Sequence, residues 1–121
     1  MVLNKFYTVE ASSSAAGAIR ASLLINRTHP IFDGHFPEVP VVPGVCMIQM
    51  IKEVVEQTKK VPYNLITGDN IKFIAVLNPD EHPKVEVSIQ LEQNNNLAIT
   101  ASLFAGEVTF LKLKAVLEER T

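Results

Sequence analysis

The stretch "GHFPEVPVVPGVCMIQMIKEVVEQTKK", Gly34 to Lys60, decides the fold. Its second half carries the longest helical pattern in the chain. At about 100° per residue, Met47, Ile48, Met50, Ile51, Val54 and Val55 fill one arc, while Gln49, Lys52, Glu53, Glu56 and Gln57 fill the other. Pro43 suits the first turn, where its missing N–H is no loss. A helix is therefore predicted from Pro43 to about Lys60, ending before Val61-Pro62. An apolar arc this wide needs a second layer to cover it.

The flanks supply that layer. Ile19, Ala21, Leu23 and Ile25 alternate with polar residues, Leu24 excepted, which reads as a half-buried strand. "SSSAAG" reads as a turn from an earlier strand near Phe6–Ala11. After the helix, strands are predicted over 65–77, from Val85 to Leu91, from Leu97 to Leu103 and from Val108 to Leu117. The connections are "NPDEHP", "QNNN" and Ala105-Gly106. Short links between consecutive strands favour antiparallel pairing. The expected class is α+β: one long central helix wrapped by a curved antiparallel sheet.

Composition narrows the function. The chain has 121 residues, 47% hydrophobic and 20% charged, so one domain spanning 1–121 is expected. A net charge of −2 with no basic stripe argues against nucleic acid. No apolar run approaches about 18 residues, so no membrane span is expected. The start, "MVLNKFYTVE", has no basic segment leading into an apolar run, so no signal peptide is expected and a cytoplasmic location follows by default. The single Cys46 excludes an internal disulfide and sits among Val45, Met47 and Ile48 as a core thiol rather than a nucleophile paired with His35. His29, His35 and His82 give no metal-ligand spacing, and neither a phosphate-cradling loop nor a dinucleotide fingerprint is present, so no metal or cofactor is expected.

The first half of the opening stretch is where chemistry is expected. Pro37, Pro40 and Pro43 each fix φ near about −65° and push Phe36, Val39 and Val42 out of the helical region. A stiff loop thus joins Gly34-His35 to Gly44, whose N–H lies unpaired at the positive end of the helix. An imidazole that moves a proton and an N–H that holds a carbonyl oxygen as it gains charge together suit acyl-thioester chemistry. By itself a lone Gly-His reads more simply as a structural corner.

The whole string "GHFPEVPVVPG" resembles the FabA/FabZ-type β-hydroxyacyl-acyl carrier protein dehydratases, whose hallmark is G-H-F-P-x-x-P-V-x-P-G leading into the central helix. Gly34, His35, Phe36, Pro37, Pro40, Val41, Pro43 and Gly44 match in register. A weaker likeness continues through "NIKFIAVLNPDEHPKVEVSI", so it covers roughly residues 29–91. The leading helix and "HRYPFLLVD"-like segment of the longer FabZ version are not found. The resemblance implies the hotdog fold, a homodimer or an oligomer of dimers, and an acyl chain on acyl carrier protein or coenzyme A as substrate. It makes His35 the base at C2 of the hydroxyacyl thioester, oriented by the Val41 carbonyl. Gly44 N–H becomes the donor to the thioester carbonyl, and Gly34, Phe36, Val41, Pro43 and Glu53 border the substrate.

The family's acid partner, a Glu or Asp fourteen residues after the histidine and supplied by the other subunit, is here Gln49. A carboxylic acid can hand a proton to a leaving hydroxyl, whereas a carboxamide can only hydrogen-bond to it. Losing a general acid costs about 10²–10⁴-fold in rate. Glu53, one turn beyond Gln49, and Glu38 in the loop are candidate substitutes, and periodicity does not choose between them. By residue type alone, Glu53 and Glu56 read as a solvated face with Lys52 and Lys59. Three functions follow: a dehydratase with Gln49 positioning the hydroxyl or a water; a thioesterase with Gln49 orienting a hydrolytic water and His35 or Glu53 as base; and no autonomous enzyme, but a half-site subunit that needs a carboxylate-bearing partner, or an acyl-carrier binding module.

Overall fold

Six antiparallel strands and one α-helix build the chain in a computed structural model that describes residues 5–33 and 40–120. The elements are β1 (Tyr7–Ala15), β2 (Ala18–Ile25), a 3₁₀ turn (Pro30–Phe32), α1 (Gly44–Lys59), β3 (Tyr63–Phe73), β4 (Lys84–Gln93), β5 (Leu97–Ala105) and β6 (Val108–Glu119). They form one sheet in the order β1-β2-β4-β5-β6-β3. The α+β expectation holds.

Period-two alternation puts one side of each inner strand into the core. Ile19, Ala21, Leu23 and Ile25 of β2, Val85, Val87 and Ile89 of β4, Leu97, Ile99, Ala101 and Leu103 of β5, and Leu111, Leu113, Ala115 and Leu117 of β6 are all buried. Against them α1 buries Cys46, Met47, Met50, Ile51, Val54 and Val55. Burying a side chain of Val, Leu, Ile or Met type stabilises by roughly 1.5–3 kcal/mol. Burial also pushes the Cys46 thiol pKa up, as expected of a core cysteine.

Several sequence expectations shift. Ser12–Ser14 continue β1 instead of turning; the turn is Ala16-Gly17, at φ 48° and 79°, closing a two-residue hairpin. Pro43 is not inside the helix: at φ −60°, ψ 146° it caps α1 in extended geometry, and its carbonyl accepts from Cys46 and Met47 N–H. Lys60 ends the helix in the left-handed region, its N–H bonded to the Glu56 carbonyl.

The larger correction is topological. "NPDEHP" does not close a hairpin, because β3 pairs with β6 at the far edge and β4 pairs with β2 and β5. β3 also stops at Phe73, so residues 74–83 form a crossing link. That link buries Leu77, whose carbonyl accepts from Val42 N–H at 2.9 Å, and so ties down the chain just ahead of α1. Asn78 folds the link into a turn, its side chain accepting from Asp80 N–H at 2.8 Å.

Glu56, expected to be solvated, is a junction. Its Oε2 accepts from Tyr63 N–H at 2.8 Å, from Lys52 Nζ at 3.3 Å and from Arg120 at 3.6 Å, joining α1 to the start of β3 and the end of β6. Glu56→Ala leaves the Tyr63 N–H unpaired and should cost about 1–3 kcal/mol in denaturant unfolding. Arg120→Ala, which removes a half-exposed partner, should stay within about 0.5 kcal/mol. Equal effects would contradict this ranking.

Candidate active site

The described part of the site is built around the N-terminus of α1. Gly44 is the first residue of the helix, and no side chain caps that end. Its N–H has no protein hydrogen-bond partner among the described residues, as expected at the first position of a helix. Gly44 borders a cleft of about 380 Å³ whose other walls include Val41, Val42, Met47, Phe73, Ile74 and Leu77. An open backbone donor at the positive end of a helix, bordered by apolar side chains, can hold an oxygen that gains negative charge.

Gly44 also has a packing reason to be glycine. A Cβ on it would lie 2.6 Å from Phe73 Cε1 and 2.7 Å from Cζ, so the ring occupies the space a side chain would take. Nothing in the sequence linked Phe73 to Gly44, because the contact depends on where β3 ends.

Gln49 lies half-buried, its Nε2 donating to Glu53 Oε2 at 3.0 Å. Glu53 is not a solvated residue: its Oε1 accepts from the Tyr7 hydroxyl at 2.7 Å, across from β1. Burial, and next the bonded Glu53 carboxylate, raise the Tyr7 pKa well above the ordinary phenol range, so the hydroxyl stays a donor. Tyr7 was missed by the sequence reading, since its 46-residue separation from Glu53 leaves no local spacing signal. Gln49 and Glu53 line a groove of about 620 Å³ with Val45, Ile48, Glu56 and Leu65.

Of the predicted site residues, Val41, Pro43, Gly44, Gln49 and Glu53 are brought to one end or one face of α1. Val41, Pro43 and Gly44 lie on the chain entering it, and Gln49 and Glu53 one turn apart on its polar arc. Gly34, His35, Phe36 and Glu38 lie outside the described residues. The other two histidines have structural roles. His29 caps the 3₁₀ turn, its Nδ1 accepting from Ile31 N–H at 3.1 Å, and His82 packs edge-on against Phe110. No group of three His, Cys, Asp or Glu among the described residues could hold a metal ion, and no described helix is long and apolar enough to cross a membrane.

A single helix packed on a six-stranded antiparallel sheet, with its N-terminus open beside an apolar cleft, is the arrangement of the hotdog class. Within that class the chain belongs to the ApeI-like dehydratase family: the model of ApeI dehydratase matches residues 11–109. It is similar to the 3-hydroxyacyl-(acyl-carrier-protein) dehydratase FabZ of Geotalea uraniireducens, at 29% identity over 75% of this chain and 70% of that protein. The FabZ of Rickettsia conorii matches at 23% identity over 100% of this chain and 88% of its own length. Among solved structures, the dehydratase heterocomplex ApeI:P of Xenorhabdus doucetiae superposes with a TM-score of 0.72 at 20% identity, covering 91% of this chain and 96% of that one. The FabA/FabZ-type likeness carried by Gly34 to Gly44 agrees with this membership.

The Gly44–Phe73 contact is open to a double-mutant cycle. Gly44→Ala should destabilise by about 1 kcal/mol while Phe73 is present, because the ring must move. In a Phe73→Ala background the same change should stabilise by about 0.5 kcal/mol, the ordinary gain of alanine over glycine in a helix. The same sign in both backgrounds would contradict the contact.

Proposed function

We propose that the chain removes water from 3-hydroxyacyl thioesters carried by acyl carrier protein or coenzyme A. The observation that carries this reading is the Gly44 N–H, without a partner among the described residues, beside an apolar cleft and at the end of the histidine-bearing string. In this mechanism His35 takes a proton from C2, and the electron pair moves onto the thioester carbonyl. Gly44 N–H and the helix dipole stabilise the oxygen while that charge develops. Collapse of the enolate forms the C2–C3 double bond and breaks the C3–O bond, and the hydroxyl leaves as water with the proton that His35 took from C2, which returns His35 to its neutral form. Gly34, Phe36, Val41 and Pro43 shape the approach to Gly44, with the Val41 carbonyl orienting His35. No cofactor is needed for this elimination. Residues 1–121 act as one domain whose sheet curls round α1, and a cytoplasmic location goes with a carrier-bound substrate.

We further propose a homodimer that pairs along β3. That edge strand and the link after it leave Leu65, Ile66, Phe73, Ile74 and Val76 exposed, Val76 by 67% and Phe73 by 55%, in a row suited to a two-fold contact. A specific observation favours a second reading, a half-site subunit completed by a carboxylate-bearing partner. Gln49 stands where the family has its acid, and the similar ApeI:P dehydratase is a heterocomplex. A sedimentation run at micromolar concentration should give a dimer; a monomer would overturn the pairing.

Activity of variants tests the chemistry. His35→Ala should lose at least about 10²-fold of dehydration while remaining folded. Gln49→Glu would restore a carboxyl at the family's acid position, and half-burial there favours the protonated form that a general acid requires. Dehydration should rise, by up to about 10²–10⁴-fold. A chain inactive alone that gains activity with Gln49→Glu supports the half-site reading. Full turnover by folded His35→Ala, or a fall with Gln49→Glu, would refute the mechanism.

A further inference from the structure

A carboxamide has two ends of opposite character: its nitrogen only donates and its oxygen only accepts. A carboxylate accepts at both oxygens. At Glu53 one oxygen is taken by the Tyr7 hydroxyl at 2.7 Å and the other by Gln49 Nε2 at 3.0 Å. Glu53 therefore dictates which way the amide of Gln49 faces. Its nitrogen turns toward Glu53, and its Oε1 has no partner among the described residues. A contact four residues along a helix is weak alone, because both side chains rotate freely. Tyr7 removes that freedom for Glu53, since it reaches over from a different element. Gln49 and Glu53 both border the 620 Å³ groove, whose apolar walls include Val45, Ile48 and Leu65.

We propose that Tyr7 and Glu53 are positioning residues that fix the Gln49 amide with its nitrogen toward Glu53 and its carbonyl oxygen as the end turned away from it. The groove then recognises a hydroxyl donor, the 3-hydroxyl of an acyl chain, and Gln49 accepts from that hydroxyl instead of donating to it. Only the identity of the ligand rests on the reading above; the orientation of the amide does not. The consequence for chemistry is specific. Gln49 can select and hold a hydroxylated chain, but it cannot be the group that protonates the leaving oxygen. Glu53, with both oxygens already accepting, is held in the same supporting role.

Two measurements on the full chain test this. In ¹⁵N-labelled protein, the side-chain NH₂ signals of Gln49, assigned by their loss in Gln49→Ala, should move in Tyr7→Phe and in Glu53→Leu. Signals that stay in place in both variants would overturn the positioning. Binding is then compared for three pantetheine thioesters of one chain length, each with two methyl groups on C2 so that elimination is blocked: 3-hydroxyacyl, 3-oxoacyl and saturated acyl. The 3-hydroxyacyl ligand should bind about tenfold tighter than either of the others, the scale of one hydrogen bond. In Tyr7→Phe, which leaves the groove walls in place, that preference should fall to within twofold with saturated-acyl affinity unchanged, and in Glu53→Leu the preference should fall likewise. A 3-oxo ligand bound as tightly as the 3-hydroxy one would make Gln49 a donor and overturn the proposal. If none of the three binds while the NH₂ signals still depend on Tyr7, the acyl substrate is wrong and the fixed amide stands.

Discussion

Burial of one stripe of α1 against the sheet is the constraint from which the rest of the structure follows. Met47, Met50, Ile51, Val54 and Val55 must face the sheet, which sets the rotation of the helix about its axis. Once that rotation is set, Gln49, Glu53 and Glu56 must look the other way. Glu56 then reaches the Tyr63 amide at the start of β3, and Glu53 reaches Tyr7 on β1. The N-terminus of the helix is held as well. The Val42–Leu77 backbone bond fixes the chain just before it, and the Phe73 ring lies over Gly44. The polar groups on the outer face are thus placed by apolar packing on the inner one.

Much of this was legible in the sequence, for identifiable reasons. The helix could be read because its apolar residues recur at a single period over sixteen residues, and β4 and β5 because they alternate cleanly. The position of Gly44 followed from local stereochemistry, a glycine after a proline at the head of that pattern. Other features depend on three-dimensional neighbours. The pairing of β3 with β6 could not be read from a turn-like "NPDEHP", since a turn signal fixes where the chain bends and not which edge it goes to. The serine run of β1 hid a strand, because serine favours turns by its side-chain hydrogen bonds and yet is tolerated on an exposed edge. Tyr7 and Phe73 became site residues only through contacts far apart in sequence.

Fold and chemistry separate at Gln49. The scaffold is that of its family, and the open helix end is where such a scaffold would hold a carbonyl. At Gln49, the position proposed for the acid, stands an amide bonded through its nitrogen to a carboxylate that a tyrosine also engages. Such an arrangement favours recognition of a hydroxyl over its protonation. A dehydration reaction must then find its proton elsewhere, from another group of the site, from water or from a partner subunit. In the proposed reaction His35 and Gly44 supply the C2 proton transfer and the stabilised oxygen.

The most direct measurement is the mass of an acyl chain left on its carrier protein after incubation with the purified, unmodified chain. The account predicts that a 3-hydroxyacyl chain loses one water and remains attached as the enoyl thioester. Release of the intact 3-hydroxy acid from the carrier, or a chain recovered unchanged, would contradict it.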